Sequence, residues 1–165
     1  MGSLYLMPLL RNVRIRLRPA TASDASLLFH WGNEEDVRKS RLSGSQPLEW
    51  MEHCEWLQKR VDGLEHEEVF MAYYGNIECI VGVGRIFSDT ERNEGMIGII
   101  VAPEARRSGI GHQIIKLLVD KIKKQNKTPV ARVMNHNVSS QRLFQGAGFV
   151  FTGGSLGWRE YRFEH

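Results

Sequence analysis

No stretch of this 165-residue chain reaches the ~18 consecutive apolar residues that a membrane-crossing helix needs, so no membrane span is expected. Cysteine is scarce: Cys54 and Cys79 stand alone, outside any CxxC pair. No two histidines fall at ligand spacing either, and neighbouring His53 and Cys54 would point apart on a helix. The usual zinc arrangements are thereby excluded, no metal is expected, and reduced thiols in a cytoplasmic protein are the plain reading. Internal repeats and low-complexity tracts are missing as well. The net charge is only +3, which suits an ordinary solvated surface as well as an anionic partner, and no nucleic-acid partner is expected.

What is present describes one globular domain. Hydrophobic residues at 42% and charged residues at 25% are ordinary, and a fold of this size buries roughly 70% of its unfolded surface without staples. The opening "MGSLYLMPLLRN" lacks a charged leader, breaks at Pro8 and has Leu6 where a myristoylation signal wants Ser or Thr. Residues 1–12 are read as a tail and 13–165 as a single domain.

Periodicity supplies the elements. "VRIRLR" (13–18) alternates as a half-buried strand up to Pro19, and Thr21 with Asp24 resembles a capping box ahead of a short helix through "ASLLFHW". "GNEED" reads as a polar turn. In "SQPLEWMEHCEWLQKRV", Pro47 suits a first helical position, with Trp50, Cys54, Leu57 and Val61 on one apolar face and His53 and Trp56 on another. "EEVFMAYY" and "IECIVGVGRIF" form a hairpin around Gly75-Asn76, followed by the buried strand "MIGIIV". Ile110, Ile114, Leu117, Leu118 and Ile122 mark an amphipathic helix. "TPVARVM", the helical "VSSQRLFQGAG", and the pair "FVFTGG" and "GWREYRF" complete the chain. The fold class is α/β, with a mixed, mostly antiparallel sheet of about seven strands flanked by about four helices. Only the unit from Met96 to Met134 requires a parallel, right-handed crossover.

The segment "VAPEARRSGIGHQII" from Val101 is unusual. Gly109 and Gly111 lack side chains where the backbone bends or something approaches, Arg106 and Arg107 add charge, and a helix start behind them leaves N–H groups free. Such a bend suits an anionic ligand. It is not a P-loop, because Lys and Ser/Thr do not follow Gly111. Neither Gly82-Val83-Gly84 nor Gly109-Ile110-Gly111 has the third glycine of a dinucleotide fingerprint.

Arg106-x-x-Gly109-x-Gly111, with Asn137, Ser140, Leu143, Phe144, Gly148 and Phe149 about thirty residues on, resembles the GNAT superfamily of acetyl-CoA-dependent N-acetyltransferases. The resemblance runs from Val13 to about Phe163. It implies that acetyl-CoA is bound by Arg106, Arg107, Ser108, Gly109, Ile110 and Gly111 at its pyrophosphate and by the main chain of Ile99, Ile100 and Val101 along its pantetheine arm. Asn137, Ser140 and Phe144 would contact it from the following elements, although Asn137 also reads as a helix N-cap. It further implies direct amine attack on the thioester, with an N–H donor such as that of Ile99 for the developing oxyanion. Glu94 is the candidate proton acceptor, or else an exposed hairpin residue. Many relatives carry tyrosine where this chain has Phe144, and a phenyl ring cannot protonate the departing thiolate.

"FHWGNEEDVRKSRLSG" followed by "PLEWMEHCEWL" resembles the GNAT enzymes of nonulosonate (pseudaminic-acid-type) pathways, which acetylate the 4-amino group of a nucleotide-linked amino sugar. That likeness makes Trp31, Asn33, Arg38, His53 and Trp56 candidate acceptor-binding residues and a sugar nucleotide the expected partner, for a monomer or homodimer. A protein N-terminus as acceptor, and a non-catalytic acetyl-CoA-binding module, are the alternatives.

Overall fold

The computed structural model describes residues 13–75 and 79–164. The expected tail at 1–12, and Asn76 of the hairpin turn, lie outside them. Seven strands form one sheet: β1 (Ile15–Pro19), β2 (Glu67–Tyr74), β3 (Cys79–Asp89), β4 (Glu94–Val101), β5 (Thr128–Met134), β6 (Phe149–Gly154) and β7 (Trp158–Phe163). Their order is β1-β2-β3-β4-β5-β7-β6, and every neighbouring pair is antiparallel except β4 with β5. The helices are α1 (Ala25–Gly32), α2 (Glu35–Lys39), α3 (Trp50–Val61), α4 (Ile110–Lys124) and α5 (Val138–Gly146).

Helix α4 is the buried keystone. Ile114, Ile115, Leu118 and Ile122 are fully inaccessible, each contributing about 1.5–3 kcal/mol by leaving water. It lies close to the sheet because Gly82, Gly84 and Gly95 beneath it have no side chains. A Cβ on Gly84 would come within 2.8 Å of Leu118, and one on Gly95 within 2.7 Å of Ile122. Gly82 and Gly84, which do not make a nucleotide fingerprint, are thus a bed for this helix.

Two expectations need correction. "GNEED" is not simply a turn: Glu35–Lys39 makes a fifth helix with no buried residue, braced by Lys39 on Glu35 at 2.5 Å. Acidic residues in its first turn and basic ones in its last suit the helix dipole. Helix α3 begins at Trp50, three residues after Pro47, and its buried residues are His53 and Leu57. Trp50 and Val61 are exposed, so the apolar stripe read from Trp50 to Val61 is not the buried face.

Candidate functional site

The parallel pairing of β4 with β5 lasts only from Glu94↔Thr128 to Met96↔Val130, yet β4 continues to Val101 and β5 to Met134. The two strands therefore part and leave a seam in the middle of the sheet. Gln141, buried on α5, helps hold the departing end of β5 by donating to the carbonyls of Met134 and Asn135 at 3.2 and 2.9 Å.

The ladder on the other side of β4 shows which groups face the seam. Ala102 N–H donates to the Val81 carbonyl at 2.9 Å, and β3 and β4 keep one register throughout. Because antiparallel pairs alternate between bonded and non-bonded, Ile100 and Gly98 exchange bonds with Val83 and Arg85. Ile99 and Val101, beyond the last β4–β5 pair, therefore direct their N–H and C=O groups into the seam. Of the three residues expected to offer main chain to a ligand, Ile99 and Val101 turn theirs to the seam and Ile100 turns its own to β3. The Val101 carbonyl is met by Arg106 Nε at 3.2 Å.

The seam ends at the glycine loop. Arg107 has φ 60° and Gly109 φ 85°, so the chain twice enters the left-handed region before α4 starts. No side chain caps α4, whose first internal bond runs from Gln113 N–H to the Gly109 carbonyl. Among the described residues, no backbone partner serves the N–H groups from Arg107 to His112. Their partial charge adds to that of the helix N-terminus. A Cβ on Gly109 would meet nothing within 4 Å, whereas one on Gly111 would lie 3.0 Å from Leu143. Gly109 thus serves the bend, and Gly111 lets α4 and α5 approach.

Side chains around the loop are mostly occupied in building it. Arg106 also reaches Glu34 at 3.0 Å, tying the loop to the start of α2. Ser108 is buried with its hydroxyl donating to the Ala105 carbonyl. Asn137 does act as an N-cap, accepting from Ser140 N–H at 3.1 Å. Phe144 is 4% exposed and packs edge-on against Phe149. Free main-chain N–H groups, rather than these side chains, are what the loop offers to an anion. With a seam lined by bonding groups, they fit a pyrophosphate-bearing tail laid between β4 and β5.

Glu94 lies elsewhere. It is the first residue of β4, buried and paired with Arg162. Five strand residues, about 17 Å, separate it from Ile99. Proton transfer needs direct contact or one bridging water, so this position does not suit a base acting at Ile99.

The five acceptor candidates divide. Trp31 is 4% exposed, in the core. Asn33 accepts from Leu48 N–H at 2.7 Å and pins the loop that follows α2. His53 is buried with Nε2 2.9 Å from the Ala25 carbonyl; burial depresses its pKa and that bond partly opposes the shift. Trp56 is half-buried and stacks on His53 at 5.6 Å, with Arg60 4.5 Å from its ring centre. Arg38 is half-buried, and its Nε has no partner. Two neighbours escaped the sequence reading, Arg41 and Arg85. For Arg85 there was a signal: it is the one charge interrupting the apolar run "IVGVGRIF".

The chain is similar to known proteins in sequence and in fold. The model of the acetyltransferase (GNAT) domain matches residues 14–150. An uncharacterized N-acetyltransferase of Bacillus subtilis, YfmK, is 32% identical over 128 residues, covering 77% of this chain and 79% of that protein. The uncharacterized protein MJ1062 of Methanocaldococcus jannaschii is 27% identical over 142 residues; these are 84% of this chain but only 28% of that longer protein. In fold, the chain is similar to the spermidine N-acetyltransferase of Vibrio cholerae solved with CoA and spermine. The TM-score is 0.76 at 18% identity, over 90% of this chain and 93% of that one.

Proposed function

The chain belongs to the acetyltransferase (GNAT) domain family, and from that premise we propose that it transfers the acetyl group of acetyl-CoA to the 4-amino group of a nucleotide-linked amino sugar. One observation carries the reading: the β4–β5 seam exposes the Ile99 main chain and leads to the free N–H groups at the start of α4. Bound there, acetyl-CoA supplies an activated acyl thioester. The N–H groups of Arg107 to Gly111 hold its pyrophosphate, and the main chain of Ile99 and Val101 aligns its arm. Ile99 N–H would be the donor to the thioester carbonyl oxygen, which would gain negative charge under attack by the amine. Preorganised, such a donor contributes about 10²–10³-fold.

Phe144 leaves no hydroxyl to protonate the thiolate at that position. A simple thiol has a pKa of about 8.5, so near neutrality the thiolate would need no dedicated acid, and the proton lost by the amine would pass to it or to water. On the acceptor side, Arg38 and Trp56 retain surface for a ligand, while Trp31, Asn33 and His53 hold the elements that present them. An arginine for a diphosphate and an indole for a sugar or base are the recognition elements a sugar nucleotide needs.

Thiol release from acetyl-CoA, followed with amino-sugar nucleotides, short peptides with free N-termini, and spermine, tests the reading. Turnover with the sugar nucleotides alone is expected. Release only with peptides would transfer the activity to protein N-termini. Tight acetyl-CoA binding without release for any amine would leave a binding module and overturn the proposal.

A further inference from the structure

Four arginines gather about α2, α3 and the outer face of β3, and two of them, Arg60 and Arg85, share the Glu67 carboxylate. Arg60 Nε holds Glu67 Oε2 at 2.5 Å, and Arg85 holds Glu67 Oε1 more loosely at 3.4 Å. Both guanidinium groups lie near the Trp56 ring, at 4.5 and 5.8 Å from its centre. Arg41 donates to the Gln46 carbonyl, but its Nε is buried without a partner, as is that of Arg38. Burial, then repulsion from Arg38 and Arg85, depresses the pKa of Arg41. Like charges brought together on a partly buried surface are costly to a folded protein, and Glu67, which serves Arg60 and Arg85, offsets only part of that cost.

Their position relates them to the transfer site. Arg85 stands opposite Gly98 in the β3–β4 ladder, and a Cβ on Gly98 would lie 3.4 Å from its Nε. The guanidinium thus rests on the backbone residue immediately before Ile99, whose N–H faces the seam. Consecutive Cα atoms are about 3.8 Å apart, so cation and donor are close neighbours on two sides of one strand.

The geometry points to Arg41 and Arg85, with Arg38, as an anion subsite that holds the phosphate or diphosphate of the acceptor while its amine reaches Ile99. This deepens the sugar-nucleotide reading and rests on it. Guanidinium forks match phosphate oxygens in pairs, and the charges that repel one another in the free protein become an asset once an anion sits among them. The same charges disfavour a polyamine acceptor such as spermine.

The test titrates UDP into the protein by calorimetry, with saturating CoA to occupy the glycine loop and also without CoA. Wild type is compared with Arg41→Gln and Arg85→Gln. UDP affinity is expected to fall at least tenfold in each variant while CoA affinity stays the same. The melting temperature of Arg41→Gln without ligand should stay level or rise, because one repelling charge is gone; a merely structural Arg41 would lower it. If Arg85→Gln fails to fold, Arg41→Gln decides alone. UDP affinity unchanged in the variants, or no UDP binding by wild-type protein that binds CoA, overturns the subsite and leaves the transferase reading standing. Loss of CoA binding in the wild type would sink the transferase reading, and the titration without CoA would still judge the arginines.

Discussion

His53 shows how a residue can be read correctly for place and incorrectly for task. Its spacing from Trp56 put the two side chains together, and they do stack. Spacing carries no information on whether solvent or a ligand reaches them, and His53 is 6% exposed with Nε2 on the Ala25 carbonyl. That bond ties α3 to the start of α1 and requires a proton on Nε2. Burial favours the neutral ring, so the folded pKa lies below the unfolded value of about 6.5. Between those two values the unfolded chain binds more protons, and stability must rise with pH. The contribution is complete above the unfolded pKa and is lost as pH falls through the folded one. Thermal melts across the acidic range should therefore show a loss of stability that is smaller in His53→Gln, which keeps a donor but cannot titrate. Equal losses in both proteins would assign the acid sensitivity to other groups. Trp31 and Asn33 teach the same lesson, since motif spacing reports adjacency and leaves burial open.

The strands and long helices were legible because their periods are set by one buried face, as in α4. Helix α2 was not, because it buries nothing and so imprints no period on "EDVRK". Gly82 and Gly84 were read as part of a strand, but nothing in a linear pattern reveals that α4 lies over them and over Gly95. Strand β4 was legible as a strand, but its two edges were not distinguishable before the ladder was known. That difference makes a sharp prediction. Ile100→Pro removes an N–H bonded to β3 and should destabilise the protein by about 1–3 kcal/mol, because the carbonyl it served is left unsatisfied. Ile99→Pro removes an N–H that faces the seam, as proline is tolerated on an open strand edge. It should fold with a melting temperature near that of wild type and lose about 10²–10³-fold in turnover. Comparable melting losses for the two variants would show that the seam assignment of Ile99 is wrong.

At the scale of the molecule, the sheet is two blocks, β1–β4 and β5–β7–β6, joined by three residue pairs at one end. The glycine loop could be singled out in the sequence as a candidate anion site, since its residue types carry the chemistry directly. The seam did not, because strand separation depends on how β5 is held by β7 and Gln141, far along the chain. A ligand in the seam would supply β4 with bonds that β5 withholds, and it can do so only in the folded state. Binding then stabilises by RT ln(1 + [L]/Kd), about 2.7 kcal/mol at a hundredfold excess over Kd. For a domain of this size each kcal/mol moves the melting temperature roughly 2–4 °C, so acetyl-CoA should raise it by about 5–11 °C. Gly109→Val separates this from general stabilisation. At φ 85° a branched residue is strained, so the variant melts lower without ligand, and the informative quantity is the increment that acetyl-CoA adds. That increment should nearly vanish, because the new side chain occupies the open side of the bend where the phosphates approach. An undiminished increment in Gly109→Val would mean that acetyl-CoA stabilises the protein from somewhere other than the loop at the end of the seam.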